Sequence, residues 1–291
     1  MEEEVLELET TAKTSGFKDF VKRFKRNKAA VAGLTILVIL MLVAIFAPYI
    51  APYDPYDAQM QIALQQPSAQ HLLGCDELGR DVLSRIIYGA RISLRVGLEA
   101  VAIALGIGIF LGALAGYYGG WIDLLIMRVM DVMLAFPSIL LAIAFMAVLG
   151  RGIDNAVIAI GIVSIPEYAR IVRGSVLSVK ENDYVMAARA IGNSNNGIIF
   201  RHILPNIIAP IVVRATLGIS SAILDTAALG FLGLGVKPPD AEWGTMLGMG
   251  RGYIWNATHL LTYPGLAITT TVLAFNLMGD GLRDALDPRL R

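Results

Sequence analysis

The strongest constraint in this sequence is a set of long apolar stretches, the first of which, Ala29–Ile50, contains no charged residue. A helix that crosses a lipid bilayer needs about 20 mostly apolar residues, so this stretch predicts a membrane-spanning helix. The composition agrees, because 56% of the residues are hydrophobic and only 16% are charged, against about 25% charged in an average soluble domain. These values exclude an ordinary cytosolic enzyme, a disordered chain and a nucleic-acid-binding protein. We therefore expect an all-α, polytopic membrane protein.

Six stretches have the required apolar character, so we predict six transmembrane helices. The fourth reaches spanning length only if its helix continues through Pro166 and carries Glu167 and Arg170. A signal peptide is the alternative for the first stretch, but the apolar run is longer than the roughly 7–15 residues of a signal h-region. The predicted spans are Ala29–Ile50, Val96–Gly116, Val132–Gly150, Ala156–Val172, Ile207–Gly235 and Leu260–Gly279.

The distribution of Lys and Arg between the spans predicts the orientation of the chain. Basic residues concentrate in the N-terminal tail, between spans four and five and at the C-terminus, with Arg128 between spans two and three. Because cytoplasmic loops carry the excess of Lys and Arg, both termini are expected in the cytoplasm and loops 51–90 and 236–259 outside the cell membrane. The chain then divides into a basic tail (1–28), a first span with its outer loop (29–90), a core (91–282) and a cytoplasmic C-terminus (283–291).

The outer loop 51–90 ends in an amphipathic stretch, Arg80–Leu94, in which arginines alternate with apolar residues. This pattern is typical of a helix lying on a membrane surface, and we prefer that interpretation to a binding site. Cys75 is the one cysteine of the chain, so no intrachain disulfide can form. Its thiol has no neighbour in sequence that would activate it, and we interpret it as a spectator. Tryptophans near predicted interfaces are expected to anchor the protein there; they are Trp121, Trp243 and Trp255.

The segment 173–206, between spans four and five, carries the signals of two short helices. Asp183 is a plausible N-cap for a helix over Tyr184–Ile191, and Gly192 is a natural stop. Ser194 can then cap a second helix that leads into the fifth span. Ala188 and Gly192 are four positions apart and share a helical face, with Ala187 beside them. Such a small-residue face suits close docking on another protein, and a plain connector between spans is the alternative that spacing leaves open.

The same segment carries a family resemblance. Tyr184–Asn206 reads Y-V-M-A-A-R-A-I-G-N-S-N-N-G-I-I-F-R-H-I-L-P-N and resembles the EAA motif of permease subunits of binding-protein-dependent ABC importers. Five positions match that motif, namely Ala187, Ala188, Gly192, Leu204 and Pro205. Met186 stands where the motif has a leading Glu, and the acids Asp183 and Glu181 are near enough in sequence to replace it.

Two further stretches resemble the outer signatures of the C-type permease in dipeptide and oligopeptide importers. His71–Leu94 is one of them, with Cys75 at a position where Thr is usual. Phe231–Arg251 is the other, and the first span with its basic tail is similar to the extra N-terminal helix of that subfamily. Three signatures in the expected order make this resemblance far more specific than one motif would.

The resemblance implies the transmembrane domain of a type I ABC importer and a set of partners. This chain would form half of a translocation pathway, a homologous B-type permease the other half, and an extracellular binding protein would deliver the substrate. Two ABC ATPase subunits would bind ATP and Mg, and one would receive a coupling helix at residues 184–197. No Gly is followed directly by Lys, so a phosphate-binding loop is absent from this chain, and no cofactor or metal is expected in it. The residues implied in ATPase coupling are Asp183, Tyr184, Met186, Ala187, Ala188, Arg189, Gly192, Leu204 and Pro205.

Ionisable residues inside the spans are functional candidates, because placing a charge in lipid is costly in free energy. Arg214 and Asp225 are eleven positions apart, about three helical turns, and so share a face of the fifth span. Either they line the translocation path or they pair with other helices, and both interpretations stay open. Glu99 is close enough to the outer boundary to reach water. Glu167 and Arg170 are interpreted as boundary charges.

The sequence favours peptides as cargo, through the resemblance alone. Relatives of this kind also serve nickel chelates, glutathione or oligosaccharides, and these remain alternatives. A self-sufficient secondary transporter is the alternative from another class, but it predicts inverted repeats, and we find no such self-similarity. A membrane-embedded enzyme would need a catalytic set within the spans, which the isolated residues Glu99, Arg214 and Asp225 do not make.

Overall fold

The computed structural model describes residues 18–286, and this part of the chain is almost entirely helical. The outer parts of the basic tail (1–17) and of the C-terminus (287–291) lie outside the described residues. The helices are α1 (18–26), α2 (Lys28–Ile45), α3 (Ala47–Ile50), α4 (Val82–Tyr118), α5 (Gly120–Leu134), α6 (Ser138–Leu149), α7 (Ile153–Val179), α8 (Asp183–Ala190), α9 (Asn195–Gly197), α10 (Ile208–Phe231), α11 (Trp243–Gly250) and α12 (His259–Leu286). The all-α prediction is confirmed.

Within the described residues, five helical segments are long and apolar enough to cross a membrane, and a sixth crossing requires the bent pair α5–α6. The axes of α5 and α6 differ by 94° and residues 135–137 are not helical, so the span predicted over Val132–Gly150 is not one continuous helix. Pro137 explains the break, because proline cannot donate a backbone hydrogen bond and disfavours helix in the residue before it. Arg128 correspondingly lies on helix α5 and not in a loop.

The fourth span was predicted to require a helix that continues through Pro166, and this requirement is confirmed. Helix α7 continues through Pro166 and ends at Val179, so it is long enough to cross the bilayer. The fifth predicted span ends earlier than expected, because helix α10 stops at Phe231. The sixth continues past Asp280 to Leu286.

Helix α4 is 37 residues long and includes both the second predicted span and the amphipathic stretch before it. The prediction that Arg80–Leu94 lies on the membrane surface is therefore wrong, since most of the stretch is the first part of the spanning helix. Asp81 caps that helix, and its carboxylate accepts a hydrogen bond from the Ser84 amide at 2.8 Å. The predicted division between residues 90 and 91 falls inside this helix.

Helices α4 and α7 pack closely because glycine recurs every fourth residue on α4. A Cβ atom at Gly108 would lie 2.5 Å from the Tyr168 Cβ, and one at Gly112 would lie 2.4 Å from the Ala169 carbonyl oxygen. At Gly116 the nearest atom would be the Val176 Cβ at 2.8 Å. Small residues bring helix backbones together in membranes, where van der Waals packing replaces the hydrophobic effect as the attraction between helices. This contact forms the centre of the bundle.

The ends of the described chain meet at one face of the bundle. The Asn27 side chain donates a hydrogen bond to the Asp284 carboxylate at 3.2 Å, so α2 begins where α12 ends. Arg283 and Leu286 also line a cavity with Asn206, which precedes α10. The segment between α7 and α10 thus lies at the same face as both ends of the described chain. Which side of the membrane this face occupies stays a prediction from the positive-inside rule.

Candidate functional site

The face of the bundle that is predicted to lie outside the cell contains a compact group of buried charges, each with a partner in this chain. The Asp76 carboxylate accepts hydrogen bonds from the Arg80 amide at 2.9 Å and the Arg80 Nε at 2.7 Å. It also lies 3.3 Å from the Arg85 Nε. Asp81 accepts from Ser84 and lies 3.0 Å from the His71 Nδ1. We call Asp76, Arg80, Arg85, Asp81 and His71 the outer charge cluster; all five are buried.

A buried glutamate organises the second outer loop. Glu242 caps α11, and its carboxylate accepts hydrogen bonds from the Gly244 and Thr245 amides, both at 2.7 Å. The next residue, Trp243, is also buried, and its indole nitrogen donates to the Ile86 carbonyl oxygen at 3.0 Å. The prediction that Trp243 is an interface anchor is therefore wrong. The sequence could not show this, because a tryptophan has the same apolar character whether it anchors at an interface or packs in the core.

The other two tryptophans and the cysteine differ in their exposure. Trp121 and Trp255 are highly exposed on the described chain, as interface anchors would be. Cys75 is completely buried, and burial raises the pKa of its thiol to about 11. A thiol reacts as its thiolate, so this one is inert near neutral pH. Its burial agrees with the interpretation of Cys75 as a spectator.

The segment between α7 and α10 begins with helix α8, one residue earlier than predicted. Asn182 occupies the N-cap position and Asp183 is the first helical residue, so the prediction of Asp183 as N-cap is wrong. Gly192 follows the helix with φ +84°, a left-handed conformation that favours glycine. The Ser194 hydroxyl accepts from the Gly197 amide at 3.2 Å, which confirms the predicted cap of the second helix. Gly192 also ends the first helix as expected.

The two faces of α8 differ from the predicted arrangement. Ala188 and Val185 are buried in an apolar cluster with Val176 of α7 and Ile198. Ala188 therefore faces the bundle, and the proposed docking face formed by Ala188 with Gly192 is corrected. The residues of the predicted coupling set that are exposed on this segment are Asp183, Tyr184, Met186, Ala187, Arg189, Gly192 and Pro205, while Leu204 is half-buried.

Polar contacts fasten this exposed segment to the end of α4. The Tyr117 hydroxyl donates to the Asn195 side-chain oxygen at 2.8 Å, and the Arg189 guanidinium lies 5.9 Å from the centre of the Tyr117 ring. Lys180 donates to the Gly116 carbonyl oxygen at 3.1 Å. Force applied to the exposed residues can therefore reach α4 through specific contacts. Sequence reasoning missed Tyr117, because nothing in its neighbourhood marks it as a partner of a segment so distant in sequence.

A second candidate site is a cavity of about 310 Å³ between α7 and α10. Arg214 and Asp225 both line it, as the shared face of the fifth span predicts. Glu167 lines it too and forms an ion pair with Arg214, a partner that the interpretation of Glu167 as a boundary charge did not predict. We call Glu167, Arg214 and Asp225 the cavity charges. Within residues 18–286, Asp225 makes no hydrogen bond or ion pair.

The other charged residues of the spans form ion pairs that are exposed on the described chain. Arg170 donates to Asp131 at 2.8 Å, and both side chains are more than half exposed, which agrees with a boundary role. Glu99 pairs with Arg95 at 2.8 Å and is 44% exposed, in agreement with access to water. In the described part of the chain, no group of three His, Cys, Asp or Glu side chains is arranged to hold a metal ion.

Comparison with solved structures shows the fold to which the chain is similar. The chain is similar to a structure of the MetNI methionine ABC transporter in an inward-facing conformation, with a TM-score of 0.59. The sequence identity is 19%, over 70% of this chain and 98% of that chain. An amino acid ABC transporter crystallised with histidines also matches, with a TM-score of 0.54 and 16% identity over 69% of this chain and 94% of that chain. The fold is therefore that of the transmembrane domain of ABC transporters.

Sequence comparison then shows the family. Residues 108–291 match the family model of the binding-protein-dependent transport system inner membrane component, and the chain belongs to this family. Residues 15–69 match the N-terminal transmembrane domain of oligopeptide transport permease C. The resemblance stated from the sequence motifs is thus confirmed, and the chain is a multi-pass protein of an inner-membrane transport system.

Curated relatives share this organisation along most of their length. The dipeptide transport system permease protein DppC of Alkalihalophilus pseudofirmus is 52% identical over 95% of this chain and 91% of its own. The di/tripeptide transport system permease protein DppC of Pseudomonas aeruginosa is 57% identical over 78% of this chain and 75% of its own. The glutathione transport system permease protein GsiD of Escherichia coli is 52% identical over 77% of this chain and 74% of its own.

Proposed function

We propose that this chain is the C-type permease subunit of an ATP-driven importer of dipeptides or oligopeptides. Its likeness to a dipeptide permease at 52% identity over 95% of the chain supports this cargo. Glutathione is the second candidate, because the permease GsiD is equally identical over a shorter part of the chain. A homologous B-type permease would complete the pathway, and an extracellular binding protein would deliver the peptide.

The exposed surface of α8 is the proposed contact with a cytoplasmic ABC ATPase, which would bind ATP and Mg. The single observation that carries this proposal is the division of the helix into two faces. Val185 and Ala188 are buried against the bundle, while Tyr184 beside them is exposed and Met186 and Ala187 are exposed on the side turned away from the bundle. A helix held on one face and free on the other can pass movement of a partner to the helices behind it.

ATP can drive transport only if inward-facing and outward-facing states interact differently with the ATPases. In this chain that difference would pass from α8 to α4 through the Tyr117 contacts and the apolar cluster around Ala188. The positive-inside rule predicts that this face is cytoplasmic, from the basic residues of the segment and of both termini. With Met186 in place of the motif's Glu, the acids near the exposed face are Asp183 and Glu181, and both are exposed.

The coupling proposal is tested by adding bulk to the exposed face without disturbing the bundle. Ala187→Trp places a large side chain on the exposed face of α8, and Met186→Trp does so one residue earlier, where the native side chain is 48% exposed. Ser178→Trp is the matched control, since Ser178 lies near the end of α7 and outside α8. We expect both test variants to assemble less well with the ATPases and to lose most peptide uptake in proteoliposomes.

Normal uptake by Ala187→Trp at wild-type expression would overturn the docking proposal. Equal losses in Ala187→Trp and Ser178→Trp would also contradict it, because the effect would then belong to the whole face of the bundle. Wild-type uptake is measured with a dipeptide, glutathione and an oligosaccharide, each with the binding protein present. Failure to take up peptides would refute the cargo, whatever the coupling variants do.

A further inference from the structure

Three charged side chains line the cavity between α7 and α10, and only two of them pair with each other. Arg214 and Glu167 neutralise each other as an ion pair. Asp225 lines the same cavity and has no hydrogen-bond or ion-pair partner in the part of the chain described by the structure. Because a charge inside the membrane is costly unless it is paired or wet, Asp225 is an open position for a cationic group. The cavity volume of about 310 Å³ lies at the lower end of the range for small-molecule sites.

A second polar group in the cavity is also unpartnered. Tyr168 is 2% exposed, and its hydroxyl makes no hydrogen bond within the described residues. Gly218 on α10 makes room for it, because a Cβ atom at that position would collide with the hydroxyl oxygen. A buried hydroxyl without a partner costs free energy, so a ligand that bonds to it would gain affinity. The Arg214 guanidinium lies 5.5 Å from the centre of the same ring.

The wall of the cavity also includes the first turn of α6. Ser138 is the first residue of this helix and lines the cavity, and no side chain caps the helix after Pro137. The free amides at a helix N-terminus favour a negatively charged group. The cavity thus combines an open carboxylate with a separate region that favours an anion.

Resting on the proposed function, we infer that this cavity is a transient subsite for the charged termini of a small peptide. Asp225 binds the α-ammonium group. Arg214 binds the peptide carboxylate by exchanging its partner Glu167 for it, and the Tyr168 hydroxyl contributes a hydrogen bond. A zwitterionic peptide supplies both charges, whereas a neutral oligosaccharide supplies neither. This assigns the recognition of peptide termini to the membrane subunit in addition to any selection by the binding protein.

The test is equilibrium binding to the complete transporter in nanodiscs, with the binding protein left out. The probe is radiolabelled alanyl-alanine, and the competitors are its N-acetyl and C-amide forms. We expect the zwitterion to bind and both blocked forms to compete at least about tenfold less well, as loss of a charge-assisted contact requires. Asp225→Asn should weaken binding of the zwitterion by a similar factor. Asp154→Asn is the control, because Asp154 is exposed near the start of α7 and away from the cavity.

Two further variants separate ligand binding from structural support. Arg214→Gln should weaken binding, whereas Glu167→Gln frees Arg214 and should strengthen it. If the ion pair only supports the structure, both variants should bind the peptide more weakly than the wild type. The inference is overturned by no detectable binding to the wild type, by equal binding of the blocked peptides, or by unchanged binding in Asp225→Asn. Peptide uptake by the same wild-type complex reconstituted in proteoliposomes, with binding protein added, distinguishes loss of this subsite from failure of the proposed function.

Discussion

The outer charge cluster and the cavity charges are both partly removed from bulk water, but their carboxylates differ in how many hydrogen-bond and ion-pair partners they have. Asp76 in the outer charge cluster accepts two hydrogen bonds from Arg80 and lies beside Arg85. Asp225 among the cavity charges has no such partner in the described structure. Arg85 is 2% exposed and donates to two backbone carbonyl groups, whereas Arg214 has Glu167 and an aromatic ring.

This difference distinguishes charges that hold the fold from charges available to a ligand. In the outer charge cluster every group already has a partner within this chain, so a ligand would have to break an existing contact to bind these charges. In the cavity the carboxylate of Asp225 and the hydroxyl of Tyr168 are still open within the described residues. Burial alone therefore does not identify a binding site; unsatisfied bonding capacity does. The following predictions test this comparison.

The largest effect on stability is expected for Arg85→Met in the outer charge cluster. The guanidinium donates to the carbonyl oxygens of Pro55 at 3.0 Å and Pro239 at 3.2 Å, and methionine replaces none of these bonds. Removing one partner of a buried charge pair costs about 3–5 kcal/mol. Thermal unfolding in detergent should show the loss, while Arg91→Met, at an exposed site of the same helix, should unfold like the wild type. An unchanged unfolding temperature in Arg85→Met would mean that the cluster does not hold the outer region together.

A smaller, pH-dependent effect is expected for Glu242→Gln. Burial raises the pKa of Glu242 above its ordinary value of 4.5, so the folded state binds the proton more tightly than the unfolded state does. Its contribution to stability is full below the unfolded-state pKa and is lost as the pH rises through the folded-state pKa. Loss of the cap itself costs about 1 kcal/mol.

The stability of Glu242→Gln is compared with that of the wild type at several pH values. Glutamine does not titrate, so the advantage of the wild type should widen as the pH falls toward 4.5. Taking the difference between the two proteins removes the contribution of the other titrating groups. A difference that is constant, or that widens as the pH rises, would contradict a raised pKa of Glu242 in the folded protein.

The smallest effect on stability is expected for Tyr168→Phe in the cavity. The hydroxyl has no partner among the described residues, so its removal should leave stability unchanged or raise it by about 1 kcal/mol or less. Peptide uptake should nevertheless fall several-fold, since the hydroxyl is one of the groups assigned to the substrate. Unfolding temperature and uptake are measured on the same preparation. If the variant is destabilised but takes up peptide normally, the comparison fails, because the cavity would then stabilise the fold as the outer charge cluster does.

The candidate sites were only partly predictable from the sequence. The positions of Gly192 and Ser194 were predictable, because a helix stop and an N-cap are local requirements of the backbone. The orientation of Ala188 was not, since Ala gives no signal that distinguishes a face packed on the bundle from a face open to a partner. The same holds for Glu167, whose partner Arg214 is supplied by another helix.

The sequence by itself determined the membrane class, the number of apolar segments and the family, because hydrophobic length and motif spacing are properties of contiguous residues. It also placed Arg214 and Asp225 on one face of the fifth span, since helical periodicity requires it. Only the tertiary structure decided that Arg80–Leu94 largely belongs to a spanning helix, that Trp243 is buried, and that Asp225 is left without a partner among the described residues. These outcomes depend on what other helices and loops bring alongside each residue, and a carboxylate or an indole has the same sequence signal whether that neighbour is present or absent.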